Sequence, residues 1–158
     1  MESEIGNVLH YVSNVFPGVL QLVSERFRES WDVAFPGTDP PPEPKLTFGT
    51  WVGGDRDGHP FVTTAVTRFA LESLHQGTLG VWRDRLRSLA QALSLSDSMQ
   101  PAPAILRDRI AACGLAVEHE PWKQWARLMV EWLPQYRVPE ELAADLRLLS
   151  DEIGRAHV

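Results

Sequence analysis

From Ile5 to Trp31 the apolar residues Leu9, Val12, Phe16, Val19, Val23, Phe27 and Trp31 return every three or four positions, the spacing of one helical face. Pro17-Gly18 interrupts the run. A proline cannot donate its backbone hydrogen bond, so the pattern predicts either a kink near Asn14 or two helices with Pro17 in the first turn of the second. Five prolines and a glycine then fall between Phe35 and Pro44, a stiff connection over residues 35–44. Beyond it, Lys45-Leu46-Thr47-Phe48-Gly49-Thr50-Trp51-Val52 mixes β-branched and aromatic residues at strand length and predicts one short strand. A lone strand leaves its backbone groups unpaired, so its neighbours are expected from polypeptide outside this chain or from another copy.

The remaining pattern is helical. Thr63 or Thr64 can cap a long helix carrying Val66, Ala70, Leu74, Val81, Leu86, Leu89 and Leu93. Serines, Asp97 and two prolines make 94–103 a loop. Ala104 to Cys113 reads as a short helix closed by Gly114, and Pro121 opens another with Trp122, Trp125, Leu128, Met129 and Trp132 on its apolar side, stopped by Pro134. Pro139 starts the last helix, with Glu140 and Glu141 suited to its N-terminus and Leu142, Leu146, Leu149 and Ile153 on its inner face. Residues 154–158 are expected to form a frayed, disordered tail. The fold class that follows is mainly α: a single helical domain over 1–158, with one short strand and a Gly-rich loop.

Composition narrows the partners. At 158 residues the chain can bury roughly two thirds of its unfolded surface without staples. Its single Cys113, among Ile110, Ala111, Ala112 and Leu115, reads as a buried small hydrophobe. Fifteen basic against 21 acidic side chains give a net charge of -6, and no basic block with interleaved aromatics counters it, so nucleic acid is not an expected partner. The Met1-Glu2-Ser3-Glu4 start lacks the positive charge of a signal peptide, and no apolar run approaches the roughly 20 residues that cross a bilayer. A soluble, cytoplasmic chain is expected, with no membrane partner.

Candidate chemistry concentrates in Gly53-Gly54-Asp55-Arg56-Asp57-Gly58-His59-Pro60. Glycines permit positive φ and close backbone approach, while Arg56 offers a rigid fork of donors that can orient a phosphate or carboxylate. The competing reading is a structural turn in which Arg56 pairs with Asp55 or Asp57. The two aspartates would repel a bare phosphate. They make better sense if one orients Arg56 and the other accepts loop amides or faces a helix N-terminus. A calcium loop is excluded, because Pro60 and Val66 stand where glycine and a bidentate glutamate are needed. His59 could move a proton or simply cap the loop. His75, His119 and His157 share no ligand spacing with it, so no metal or other cofactor is expected to bind this chain alone. Trp122, Trp125 and Trp132 read as core or interface.

At this loop the sequence resembles phosphoenolpyruvate carboxylase. The family carries a phrase close to Ser-Trp-Met-Gly-Gly-Asp-Arg-Asp-Gly-Asn-Pro-Asn-Val-Thr, here Thr50-Trp51-Val52-Gly53-Gly54-Asp55-Arg56-Asp57-Gly58-His59-Pro60-Phe61-Val62-Thr63. Weaker similarity runs upstream through Asn7 to Trp31 and downstream through Glu120-Pro121-Trp122-Lys123 and Glu141-Leu142-Ala143-Ala144-Asp145-Leu146-Arg147. His59 and Phe61 replace the usual asparagines.

The resemblance implies an internal fragment or truncated paralogue of an enzyme that joins bicarbonate to phosphoenolpyruvate, giving oxaloacetate and phosphate, with magnesium or manganese organising the substrate. It implies that Arg56 is the catalytic, anion-holding arginine, supported by Gly53, Gly54, Asp55, Asp57, Gly58 and His59. It implies part of a helix-surrounded (β/α)8 barrel, with the expected strand and the Arg56 loop as one β-to-α step. The catalytic-histidine segment, the histidine-arginine-glycine-glycine loop and the acidic metal-ligand pair of the family have no counterpart here. The chain alone is therefore expected to be inactive, its partners being phosphoenolpyruvate, bicarbonate and either a complementary polypeptide or a second copy. The alternative is a noncatalytic helical oligomerisation module or an anion-binding regulatory module.

Overall fold

The computed structural model describes residues 2–42, 46–55, 57 and 60–155. Its elements are helix α1 (Glu2–His10), a π-helical turn (Tyr11–Val15), α2 (Phe16–Ala34), α3 (Thr64–Ala92), α4 (Ala104–Ala112), α5 (Pro121–Trp132), a 3-10 turn (Leu133–Gln135) and α6 (Pro139–Arg155). The chain divides into two compact units, Met1–Val81 and Trp82–Val158, the division falling within α3.

In the first unit, α1 and α2 are joined through the π-turn, and Pro17 stands in the first turn of α2. The cause is local. Pro17 has no N–H to give Ser13 and its ring crowds that carbonyl, so the winding widens and Phe16 N–H bonds to Tyr11 O instead. The widened turn packs closely against α3: a methyl group at Gly77 would lie 2.2 Å from Ser13 Oγ. The extra residue also changes which side of α2 faces inward. Phe16, Leu20, Ser24, Phe27 and Trp31 are half-buried, while Val19 and Val23, expected on the inner face, are exposed. No residue of α2 is fully buried. At its end Phe35 N–H caps Trp31 O at 2.8 Å, Trp31 Nε1 donates to Thr38 Oγ1 at 3.1 Å, and Gly37 takes φ +76, a left-handed exit that suits glycine.

The expected strand over residues 45–52 is not formed. Lys45 lies outside the described residues, and no strand occurs among the described ones. The (β/α)8 barrel step drawn from that strand falls with it. Turn chemistry takes the backbone groups a ladder would need: Val52 N–H donates to Thr50 Oγ1 at 3.1 Å, and Trp51 O accepts the N–H groups of Gly54 and Asp55 at 2.9 and 3.0 Å. Phe48 stacks on Phe16 with ring centroids 4.3 Å apart. Aromatic and β-branched residues suit any half-covered surface, and here that surface is a helix.

Thr63 is the cap of α3. Its Oγ1 accepts from Val66 N–H at 3.4 Å, and its carbonyl accepts the first helical bond from Thr67 at 3.0 Å.

The second unit holds most of the core. Leu86, Ala90 and Leu93 of α3 and its extension, Leu106 and Ile110 of α4, Trp122, Trp125 and Met129 of α5, and Leu142 and Leu149 of α6 are all buried. Of the tryptophans spaced along α5, Trp122 (0% exposed) and Trp125 (2%) are core, while Trp132 is half-buried. Polar groups fasten the connections. Gln124, buried, donates to Ala116 O and accepts from Glu118 N–H, both at 2.8 Å, holding 116–118 against α5. Trp125 Nε1 donates to Asp145 O at 3.3 Å and Tyr136 OH to Asp145 Oδ2 at 2.7 Å, tying α5 and the following turn to α6. Burial, and then the Asp145 carboxylate, push the Tyr136 hydroxyl well above its ordinary range, so it remains a donor.

Gly114 takes φ +74 and ends α4 as expected. Cys113 is exposed, contrary to expectation. It stands at the C-cap, beyond the last turn whose inner face is Leu106 and Ile110, and its thiol turns back onto Arg109 O at 3.1 Å. Of the tail expected over 154–158, residues 156–158 lie outside the described residues.

The loop between α3 and α4 is fixed by Asp97. Its Oδ1 accepts from Ala102 N–H at 2.7 Å and from Arg107 at 2.6 Å, and its own N–H donates to His119 O at 2.8 Å. The Ala102 amide above all, and then the Arg107 guanidinium, hold the Asp97 carboxyl below its ordinary value. A depressed carboxylate adds stability that is complete above the unfolded pKa of about 3.9 and disappears as pH falls through the folded value. Thermal melts from neutral pH to about pH 2 should therefore show the wild type losing its advantage over Asp97→Asn only in the acid window. Parallel curves over that range would remove Asp97 from the account.

Candidate functional site

The Gly-rich loop leaves Trp51 in a tight turn braced by two helices. Gly53 is buried at φ +79, a conformation that side chains rarely adopt. A methyl group there would meet Ala70 Cβ at 2.8 Å and Ile5 Cδ1 at 3.3 Å, so the backbone itself fills the space between α1 and α3. Ile5 is 1% and Ala70 4% exposed. The paired glycines in the sequence point to the turn; its seat on Ala70 and Ile5 depends on contacts between segments far apart in the chain.

Beyond the turn the loop emerges into solvent. Gly54, Asp55 and Asp57 are exposed, and Asp55 Oδ1 accepts Asp57 N–H at 2.9 Å. One aspartate is thus committed to a loop amide, one of the two tasks the sequence suggests for the pair. Arg56, Gly58 and His59 lie outside the described residues.

Two depressions flank the exposed ring of Trp51. One, of about 210 Å³, is lined by Glu4, Trp51, Val52, Gly53, Asp55, Asp57 and Val62. The other, of about 270 Å³, is apolar and lies over the π-turn, between Val8, Tyr11, Val12 and Phe16 on one side and Gly49 to Val52 on the other. Sequence reading placed Trp51 in a strand and so missed its position at both rims; no local signal marks it. Among its described lining residues, Glu4, Asp55 and Asp57 carry carboxylates, so an anion held there needs a cation beside them.

Among the described residues, no three His, Cys, Asp or Glu side chains gather to hold a metal ion. The divalent ion implied by the family resemblance therefore finds no ligand set in them. No helix of the described residues is long and apolar enough to cross a membrane.

Comparison with known proteins gives the loop its context. The family described as Phosphoenolpyruvate carboxylase matches residues 1–150. Relatives named Phosphoenolpyruvate carboxylase include one from Methylorubrum extorquens, 32% identical over 70% of this chain and 12% of its own length, and one from Ralstonia nicotianae, 29% identical over 98% of this chain and 18% of its own. The Synechococcus protein is 44% identical over 40% of this chain and 6% of its own length. The chain thus spans less than a fifth of the length of these relatives. No solved structure matches. Since the family match takes in the helices, the Gly53 turn and the whole loop in one continuous span, this chain belongs to the phosphoenolpyruvate carboxylase family.

Proposed function

We propose that this segment contributes an anion-binding arginine, Arg56, to a cytoplasmic site of phosphoenolpyruvate carboxylase type, in which phosphoenolpyruvate and bicarbonate give oxaloacetate and phosphate. The observation that carries the reading is the bracing of the loop's first residue. Gly53, wedged between Ala70 and Ile5, fixes where the loop begins, and a fixed origin limits the entropy a bound anion must remove.

Arg56 suits the chemistry. Phosphate, carboxylate and a developing enolate oxygen are all negative, and a planar fork both orients and stabilises them. Gly53, Gly54, Asp55, Asp57, Gly58 and His59 are assigned to supporting the loop that carries it. The remaining reacting groups, and the ligands of any divalent ion, are assigned to a complementary polypeptide. The chain by itself is inactive.

Calorimetric titration of phosphoenolpyruvate with magnesium into the 158-residue chain and into Arg56→Ala tests the assignment. Loss of a charge-assisted contact worth about 1.5–3 kcal/mol should weaken binding roughly ten- to a hundredfold. Equal affinities, or no binding by either protein, would overturn it.

A further inference from the structure

We infer that α1 is a strut for the anion-binding loop, docked through the Cδ1 methyl of Ile5, and that the loop's affinity for an anion is coupled to how firmly α1 is docked. This role rests on the reading of the loop as an anion site, whose regulation it supplies. From Phe48 to Asp55 the chain runs back along the π-turn and α1. Phe48 stacks on Phe16, Gly49 to Val52 face Val8 and Val12 across the apolar depression, Gly53 meets Ile5, and Asp55 shares the other depression with Glu4. Each depression thus has the loop for one wall and α1 or the turn after it for the other.

The loop's own hydrogen bonds are local. Val52 N–H on Thr50 Oγ1, and the Gly54 and Asp55 amides on Trp51 O, set the shape of the turn without setting its place. Its place comes from Ala70 Cβ on one side of Gly53 and Ile5 Cδ1 on the other, the latter 3.3 Å from where a methyl group on Gly53 would stand. The two supports differ in firmness. α3 winds for 29 residues, whereas α1 has nine and joins α2 only through the π-turn, where regular bonding is interrupted. So short a run is marginal in water and keeps its position by what it buries. Ile5, 1% exposed, is the one buried side chain of α1 among the described residues. The contact that docks α1 is therefore the contact that seats the loop. Coupling between two equilibria is reciprocal, so an anion that orders the loop also secures α1.

Amide hydrogen exchange and calorimetry on the full chain test the coupling. Ile5→Val removes only Cδ1, a truncation that a folded core ordinarily survives. It should speed exchange at the Gly54 and Asp55 amides by about two- to tenfold, while Phe35 N–H, bonded to Trp31 O in the same unit, stays as it was. Binding of phosphoenolpyruvate in the presence of magnesium should weaken by a similar factor. In the wild type the same ligand should slow exchange along α1, a response that a merely structural side chain would not give. Unaltered Gly54 and Asp55 amides in Ile5→Val, acceleration that reaches Phe35 equally, or α1 amides indifferent to the ligand would overturn the strut. Equal binding by the wild type and Arg56→Ala would remove Arg56 and leave the strut to stand on the exchange results, which do not involve that side chain. No binding by the wild type would overturn both.

Discussion

Trp122→Ala is expected to destabilise the unit formed by Trp82–Val158 by about 3–5 kcal/mol, the usual cost of emptying a fully enclosed aromatic site. Trp122 is completely buried at the start of α5, where the helix must meet both the Gln124 staple and the inner faces of its neighbours. Its indole N–H is buried and has no hydrogen-bond partner, so the residue is held by its bulk and carries a polar liability. Two substitutions separate these terms. Alanine removes bulk and liability together; phenylalanine keeps most of the bulk and removes the N–H, recovering part of the roughly 1–3 kcal/mol that an unsatisfied donor costs. Urea unfolding followed by far-ultraviolet dichroism should therefore rank wild type and Trp122→Phe close together and Trp122→Ala far below. A phenylalanine variant as damaged as alanine would show that the indole N–H has a partner after all.

The second large effect is expected at Gly53→Ala. A left-handed backbone conformation costs an L-residue roughly 1–2 kcal/mol, and forcing a methyl group into a filled space typically adds 1–3 kcal/mol. Both apply here, since φ is +79 and the new Cβ would sit 2.8 Å from Ala70 Cβ. Ala70→Gly should relieve the steric part and leave the backbone part. The two changes should consequently couple in a double-mutant cycle by more than about 0.5 kcal/mol, whereas independent sites would add. Additivity within experimental error would mean that α3 shifts freely away from the loop.

The same two regions indicate what could be read from sequence. Prolines and glycines acted locally and were legible: Pro121 and Pro139 open helices, Gly114 closes one, and Gly53 turns the chain where paired glycines suggested it. The strand was misread because β-propensity reports suitability for a half-covered surface, and Phe48 finds that surface on Phe16. The inner face of α2 was misplaced at Val19 and Val23 because period counting presumes unbroken winding, and the π-turn inserts a residue that no pattern announces. Cys113 was judged by its apolar neighbours, although a helix end can turn any side chain outward. At the loop, the engagement of an aspartate with a neighbouring amide followed from residue type alone. The press of Gly53 on Ala70 did not, because it joins residues distant in sequence.

The widened winding at Tyr11–Val15 absorbs one residue of chain length. Deleting a single residue there would let regular winding resume with Phe27 and Trp31 still turned inward, because the residue lost is the one the wide turn accommodates. Forcing the full-length segment to wind regularly would instead swing α2 round its axis by the roughly 100° that one residue carries, bringing Val19 and Val23 toward the interior. A single-residue deletion in this span is therefore expected to be tolerated better than loss of the wide turn at unchanged length.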